Sequence, residues 1–94
     1  GEVIYFAYDP ALPVITEHLE KGRRAVIVRY GQIMLASAEG EVSLAKLKDV
    51  PLADAGKDVA QTENVLAAVA AAWALGVSQD VMRTGIETYF IEQQ

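Results

Sequence analysis

Short apolar runs along this chain predict a strand and then a helix at its beginning. Residues 3–8 are rich in β-branched and aromatic side chains, which favours a strand. Asp9 and Pro10 end it, because proline has no backbone N–H to donate to a sheet. A helix ending near Gly22 follows, since glycine commonly terminates helices. Its apolar residues recur at helical spacing: Leu12, Ile15 and Leu19.

The middle of the chain predicts three strands joined by tight turns. The three apolar runs cover residues 25–30, 33–38 and 42–47. Gly31-Gln32 separates the first two runs and Glu39-Gly40 the last two, which indicates an antiparallel meander. Residues 50–52 close the meander, and we expect residues 53–57 to form a polar loop.

The last third of the chain predicts two helices. Asp58 is positioned to cap a helix over residues 58–75, with Gln61 three residues later as in a capping box, and Gly76 ends it. Ser78 is positioned to cap the second helix. The second helix has one apolar face, which comprises Met82, Ile86, Tyr89 and Phe90.

The long helix has an unusual composition, because residues 65–75 are apolar on every face and not along one stripe. Such a helix is normally buried on all sides. A meander and one further helix can cover only part of it. We therefore expect either that this chain belongs to a larger body or that it associates with itself through this helix.

These elements predict a single α+β domain over residues 1–94, whose composition excludes several functional classes. A hydrophobic fraction of 52% supports a packed core. The net charge of −5 argues against binding nucleic acid, which requires clustered Lys and Arg. The chain has no cysteine, so disulfides and thiolate chemistry are absent. No apolar run approaches the roughly 20 residues of a membrane span, and no leader is visible. We expect a cytoplasmic protein.

No complete catalytic or metal-binding arrangement is visible. His18 is the only histidine, and we expect it on the exposed side of the first helix. The spacing of Asp49, Asp54 and Asp58 does not favour a metal site. The motifs G-x-S-x-G, G-x-G-x-x-G and G-x-x-x-x-G-K-[ST] are missing, so a nucleophile elbow and a phosphate-binding loop are not expected. We therefore assign no catalytic residue and no metal ligand.

Gln61 and Asn64 are the best candidates for a binding role. They are three residues apart at the start of an apolar helix and so share a face. Each amide offers a donor and an acceptor, the pattern that recognises the edge of a purine. The alternative is structural: Gln61 completes the capping box, and Asn64 is an ordinary polar residue at a helix start.

The stretch 61–76 resembles a signature of the Mur ligase superfamily. In that family a loop ending in Gly and His precedes Asn or Gln, two residues, Asn and an alanine-rich helix. This chain has Gln61 and Asn64 at the amide positions, but Ala60 where the family often has His. Because Ala60 replaces that His, roles tied to it are absent here or provided by other groups. In the family a short second helix follows, and residues 78–86 correspond to it here.

Within the superfamily the likeness is greatest to the Mur ligase-like half of cyanophycin synthetases. It extends over nearly the whole chain, with counterparts for residues 3–6, 13–18, 25–29 and 50–52. The resemblance implies the last part of a central ATPase domain. The phosphate-binding loop and most Mg²⁺ ligands would precede this region, and an amino-acid-binding domain would follow it.

The resemblance also implies an activity for the intact parent enzyme. The family ligates an amino acid to a carboxylate through an acyl phosphate, using ATP and Mg²⁺; in cyanophycin synthetases this half adds arginine to a polymer aspartate. The family's two amides lie near the adenine of ATP, which implies that role for Gln61 and Asn64. We expect the chain alone to be inactive, with the rest of the parent chain covering its long helix. The alternative is a free-standing interaction or oligomerisation module that uses helix 62–75.

Overall fold

The structure, a computed structural model, describes residues 2–89 and has a mixed α+β architecture. Its regular elements are β1 (Tyr5–Ala7), α1 (Pro13–Glu20), β2 (Ala25–Arg29), β3 (Gln32–Ser37), β4 (Gly40–Lys46), α2 (Val59–Ala74) and α3 (Gln79–Thr88). Two 3₁₀ helices, Leu47–Asp49 and Pro51–Gly56, connect β4 to α2. The predicted fold class and the order of its strands and helices are confirmed. Phe90, predicted on the face of the last helix, lies outside the described residues.

The four strands form one sheet in the order β1-β2-β3-β4. The predicted meander is confirmed, because β3 is antiparallel to both β2 and β4. β1 adds a parallel edge, with Phe6 opposite Val26. A parallel pair requires a crossover connection, and α1 lies within it.

The turn between β2 and β3 lies one residue earlier than predicted. Arg29 pairs with Gln32, so the two turn residues are Tyr30 and Gly31. Both have positive φ, 55° and 68°, as a type I′ hairpin turn requires. The glycine in the second turn position allows this conformation without strain, whereas the exposed Tyr30 adopts it because the strand register requires it.

The core lies on both faces of the sheet because β2 is covered on each side. On one face, Val26 belongs to the main core cluster, together with Leu66 and Val69 of α2. On the other face, Ile27 packs in a second cluster with Ile15 of α1. Alternate side chains of a strand point to opposite faces, so one short apolar strand contributes to two cores.

The segment before α2 is ordered and partly buried, so the prediction of a polar loop over residues 53–57 was wrong. Its 3₁₀ helix buries Ala53 completely, and the Ala53 N–H donates to Val50 O at 3.0 Å. Asp54 and Ala55 then adopt positive φ values of 48° and 56°. The sequence of small and polar residues did not reveal this packing, because it depends on contacts with the core.

Leu66 is the best test of this core. It is completely buried, so Leu66→Ala should lower the free energy of unfolding by about 3 kcal/mol through lost burial and a cavity. The matched control is Leu75→Ala: Leu75, which follows α2, is 83% exposed, and its truncation should change stability by less than about 0.5 kcal/mol. Urea unfolding followed by circular dichroism measures both. Equal losses would contradict this packing of α2.

Candidate functional site

The start of α2 places the two candidate amides on a capped helix. Asp58 Oδ1 accepts a hydrogen bond from the Gln61 N–H at 3.0 Å, which confirms the predicted cap. The reciprocal bond of a capping box is not formed, since the Asp58 N–H donates to Ala53 O at 3.3 Å. The Gln61 side chain is therefore not needed to satisfy the helix end.

The two amides contact each other. Asn64 Nδ2 donates to Gln61 Oε1 at 3.2 Å, as expected for residues three apart on a helix. Asn64 is exposed and Gln61 is half-buried. An amide has two donor hydrogens and one acceptor oxygen, so this bond leaves Asn64 with its carbonyl oxygen and one N–H for other partners.

Asn64 lines an apolar groove between α2 and α3, here called the α2–α3 groove. Its larger part has a volume of 340 Å³, and an adjoining part has 230 Å³. The larger part is lined by Leu52, Asn64, Val65, Ala68, Gly85, Ile86 and Tyr89. Ala68, Gly85 and Ile86 line both parts. None of these lining residues is charged, so the groove suits a neutral ring or side chain.

The position of α3 sets the width of this groove. Met82 is buried in the main core, and Arg83 Nε donates to Leu44 O of β4 at 2.7 Å. Ser78 Oγ accepts from the Val81 N–H at 3.3 Å, which confirms the predicted cap of this helix. Met82 and Arg83 thus hold the centre of α3 against the core and the sheet, while the Ser78 cap satisfies the start of the helix itself.

The structure corrects one prediction on the first helix. His18 is buried, so the prediction of an exposed histidine was wrong. Its ring stacks on Tyr5 at a centroid distance of 4.0 Å, and its Nε2 lies 3.1 Å from Val3 O. A carbonyl only accepts, so Nε2 carries the proton and joins α1 to the segment before β1. Trp73 of α2 packs against the main core and lies half-buried.

One ion pair lies outside the groove and also contacts the tryptophan. Arg24 contacts Glu2 at 2.6 Å and lies 4.7 Å above the Trp73 ring. The hydrogen bond from Arg24 holds the pKa of Glu2 below its ordinary value and raises the pKa of Arg24.

Among residues 2–89 no three His, Cys, Asp or Glu side chains are grouped as metal ligands. Within the same residues, no helix is both long and apolar enough to cross a membrane.

The sequence identified the two amides but not the groove beside them. Leu52 and Ile86 approach α2 from distant parts of the chain, and no local pattern shows that they meet. Gly85 had one usable signal, because glycine is unfavourable in the interior of a predicted helix.

Comparisons with known proteins give one consistent likeness. The chain is 25% identical over 89 residues to the cyanophycin synthetase of Trichormus variabilis. It is 26% identical to that of Synechocystis sp. and 27% identical to that of Crocosphaera subtropica, again over 89 residues. Each match covers 95% of this chain and 10% of the relative, so the chain spans about a tenth of the relatives' length. No family model matches. The chain is thus related in sequence to a short part of cyanophycin synthetases.

The pair between Glu2 and Arg24 predicts a pH effect. Because the folded pKa of Glu2 is depressed, the pair stabilises the fold above the unfolded pKa, near 4.5, and this contribution fades as the pH falls through the folded pKa. An NMR titration of the Glu2 carboxyl should show a midpoint below 4.5 that returns towards 4.5 in Arg24→Gln. Arg23→Gln, at the neighbouring exposed arginine, should leave that midpoint unchanged. An unchanged midpoint in Arg24→Gln would contradict the pairing.

Proposed function

We propose that this chain is part of the ATP-binding domain of a Mur ligase-like, ATP-dependent amino-acid ligase that resembles cyanophycin synthetase. In this proposal the chain contributes part of the adenine site. The observation that carries it is the joined amide pair of Gln61 and Asn64 beside the uncharged α2–α3 groove. The similarity to cyanophycin synthetases supports it, because that similarity covers 95% of the chain.

The chemistry of the amide pair suits adenine. The adenine edge presents an amino donor next to a ring-nitrogen acceptor, and an asparagine amide can bond both. The groove offers apolar walls to the faces of the ring. Asn64 would contact the base, and Gln61 would act as a positioning residue, because its carbonyl fixes one N–H of the Asn64 amide.

The remaining parts of the reaction would come from the intact enzyme. The chain contains no phosphate-binding motif, so ATP phosphates and Mg²⁺ would be held elsewhere in the parent. ATP supplies the activation of the carboxylate when bound there. This chain would orient the base, and we expect it to catalyse no ligation alone.

The open edge of β1 supports a covering partner in the parent chain. Among residues 2–89, β1 has β2 as its one sheet neighbour, so within this part of the chain its other edge carries unpaired backbone groups. An apolar cavity of 330 Å³ lies along this strand and α1. Exposed apolar side chains surround it, namely Val3, Phe6, Leu12 and Val14. A further strand of the parent protein would pair with this edge and cover these side chains.

The nucleotide role predicts weak but specific binding by the chain itself. Adenosine titration, followed by NMR at the side-chain amides of Gln61 and Asn64, should give a dissociation constant on the order of 1 mM, because phosphate contacts are missing. Asn64→Ala should weaken binding about tenfold through the loss of two hydrogen bonds. Glu63→Gln, an exposed neighbour that does not line the groove, is the matched control and should bind normally.

Inosine provides the specificity test. Its 6-oxo group replaces the amino donor of adenosine and would face the Asn64 carbonyl, so inosine should bind more weakly than adenosine. The adenine assignment would be wrong if both nucleosides bound equally, or if neither moved the two amide signals.

A free-standing oligomerisation module is the second candidate function. It is favoured by the apolar surface that α2 leaves exposed, which includes Ala71, Ala74 and the following Leu75. This function predicts a mass that rises from monomer to dimer with concentration in light scattering, and Leu75→Glu should restore the monomer. A monomer at all concentrations would exclude it and leave the ligase proposal standing.

A further inference from the structure

Gly85 lies in the interior of α3, where glycine is less favourable than alanine because it has greater freedom in the unfolded chain. Its backbone is helical, a conformation that any residue adopts. A Cβ added at Gly85 would meet no heavy atom within 4 Å. Neither backbone geometry nor close packing within the described chain therefore requires glycine here.

The space beside Gly85 is the α2–α3 groove. Gly85 lines both of its parts, and so does Ala68 of α2. Larger side chains such as Val69 and Met82 pack between the two helices. Ala68 and Gly85 are small, so they leave room between α2 and α3 where they face the groove. A side chain at either position would reduce the volume available to an occupant.

We propose that Gly85 is a specificity-determining residue that keeps the groove open for the ring of an adenine base. This inference rests on the proposed nucleotide function and names the residue that provides the room. The larger part of the groove, at 340 Å³, is at the small end of the range for ligand sites, about 300–1,000 Å³, which suits a base and not a whole nucleotide. Its uncharged walls agree with a ring and not with phosphates.

Two side chains at the groove favour a base over a purely aliphatic occupant. Asn64 has a carbonyl oxygen and one N–H that Gln61 does not engage, and a base can bond both whereas an aliphatic occupant cannot. Tyr89, which is 61% exposed, supplies an aromatic surface on which a base can stack. Val65 and Ile86 complete the apolar wall.

The proposal predicts opposite effects of Gly85→Ala on stability and on binding. Alanine should raise the melting temperature by about 4–8 °C, because it favours the helix and meets no clash. The same methyl group should weaken adenosine binding roughly tenfold, because it occupies space that the ring requires. Thermal unfolding and NMR titration with adenosine, on the full 94-residue chain, measure the two effects.

Two further variants separate this role from a general effect of helix stability. Thr84→Ala is the matched control on α3: it also favours the helix but does not line the groove, so adenosine should bind unchanged. Ala68→Leu fills the groove from α2 and should weaken binding at least as much as Gly85→Ala. If the unaltered chain binds adenosine and both groove variants bind it equally well, the role of Gly85 is wrong while the nucleotide function stands. If the unaltered chain does not bind adenosine, both proposals fall together.

Discussion

The burial of β2 on both faces is the constraint on which the rest of this structure depends. Residues 25–28 are all buried, so helices are required on each side of a strand only five residues long. α1 covers the face of Ile27, and α2 covers the face of Val26. The parallel pairing of β1 with β2 follows from this arrangement, because the chain must cross one face of the sheet before it returns as β2.

The position of α2 connects this core to the candidate site. Its buried side, which includes Val65 and Leu66, is fixed against the sheet, so its first turn is held at a defined place. The Asp58 cap satisfies the helix end, and the Gln61 side chain accepts a hydrogen bond from the Asn64 amide. A buried helix face therefore fixes the position of two candidate amides that are themselves partly exposed.

The chain carries uncovered apolar surface both on α2 and on other elements. Alanines on the outer side of α2 present little surface each. Larger apolar residues are exposed around the edge strand β1 and also elsewhere, as at Leu75, Val81 and Tyr89. Unpaired strand edges and apolar patches of this kind are typical of interaction surfaces. This distribution agrees with a chain that matches only about a tenth of the length of its relatives, although the sheet and its two core clusters are already formed within it.

The sequence by itself determined the features that depend on neighbours along the chain. Asp58 and Ser78 are caps because their oxygens reach N–H groups three residues away, and Gly22 and Gly76 end helices because their positive φ is favourable for glycine. Only the tertiary structure decided what depends on distant contacts. The burial of His18 against Tyr5, the packing of Ala53 and the meeting of Ala68 with Gly85 across a groove belong to this group. Local patterns cannot show these contacts, because each joins segments whose proximity is set by the sheet.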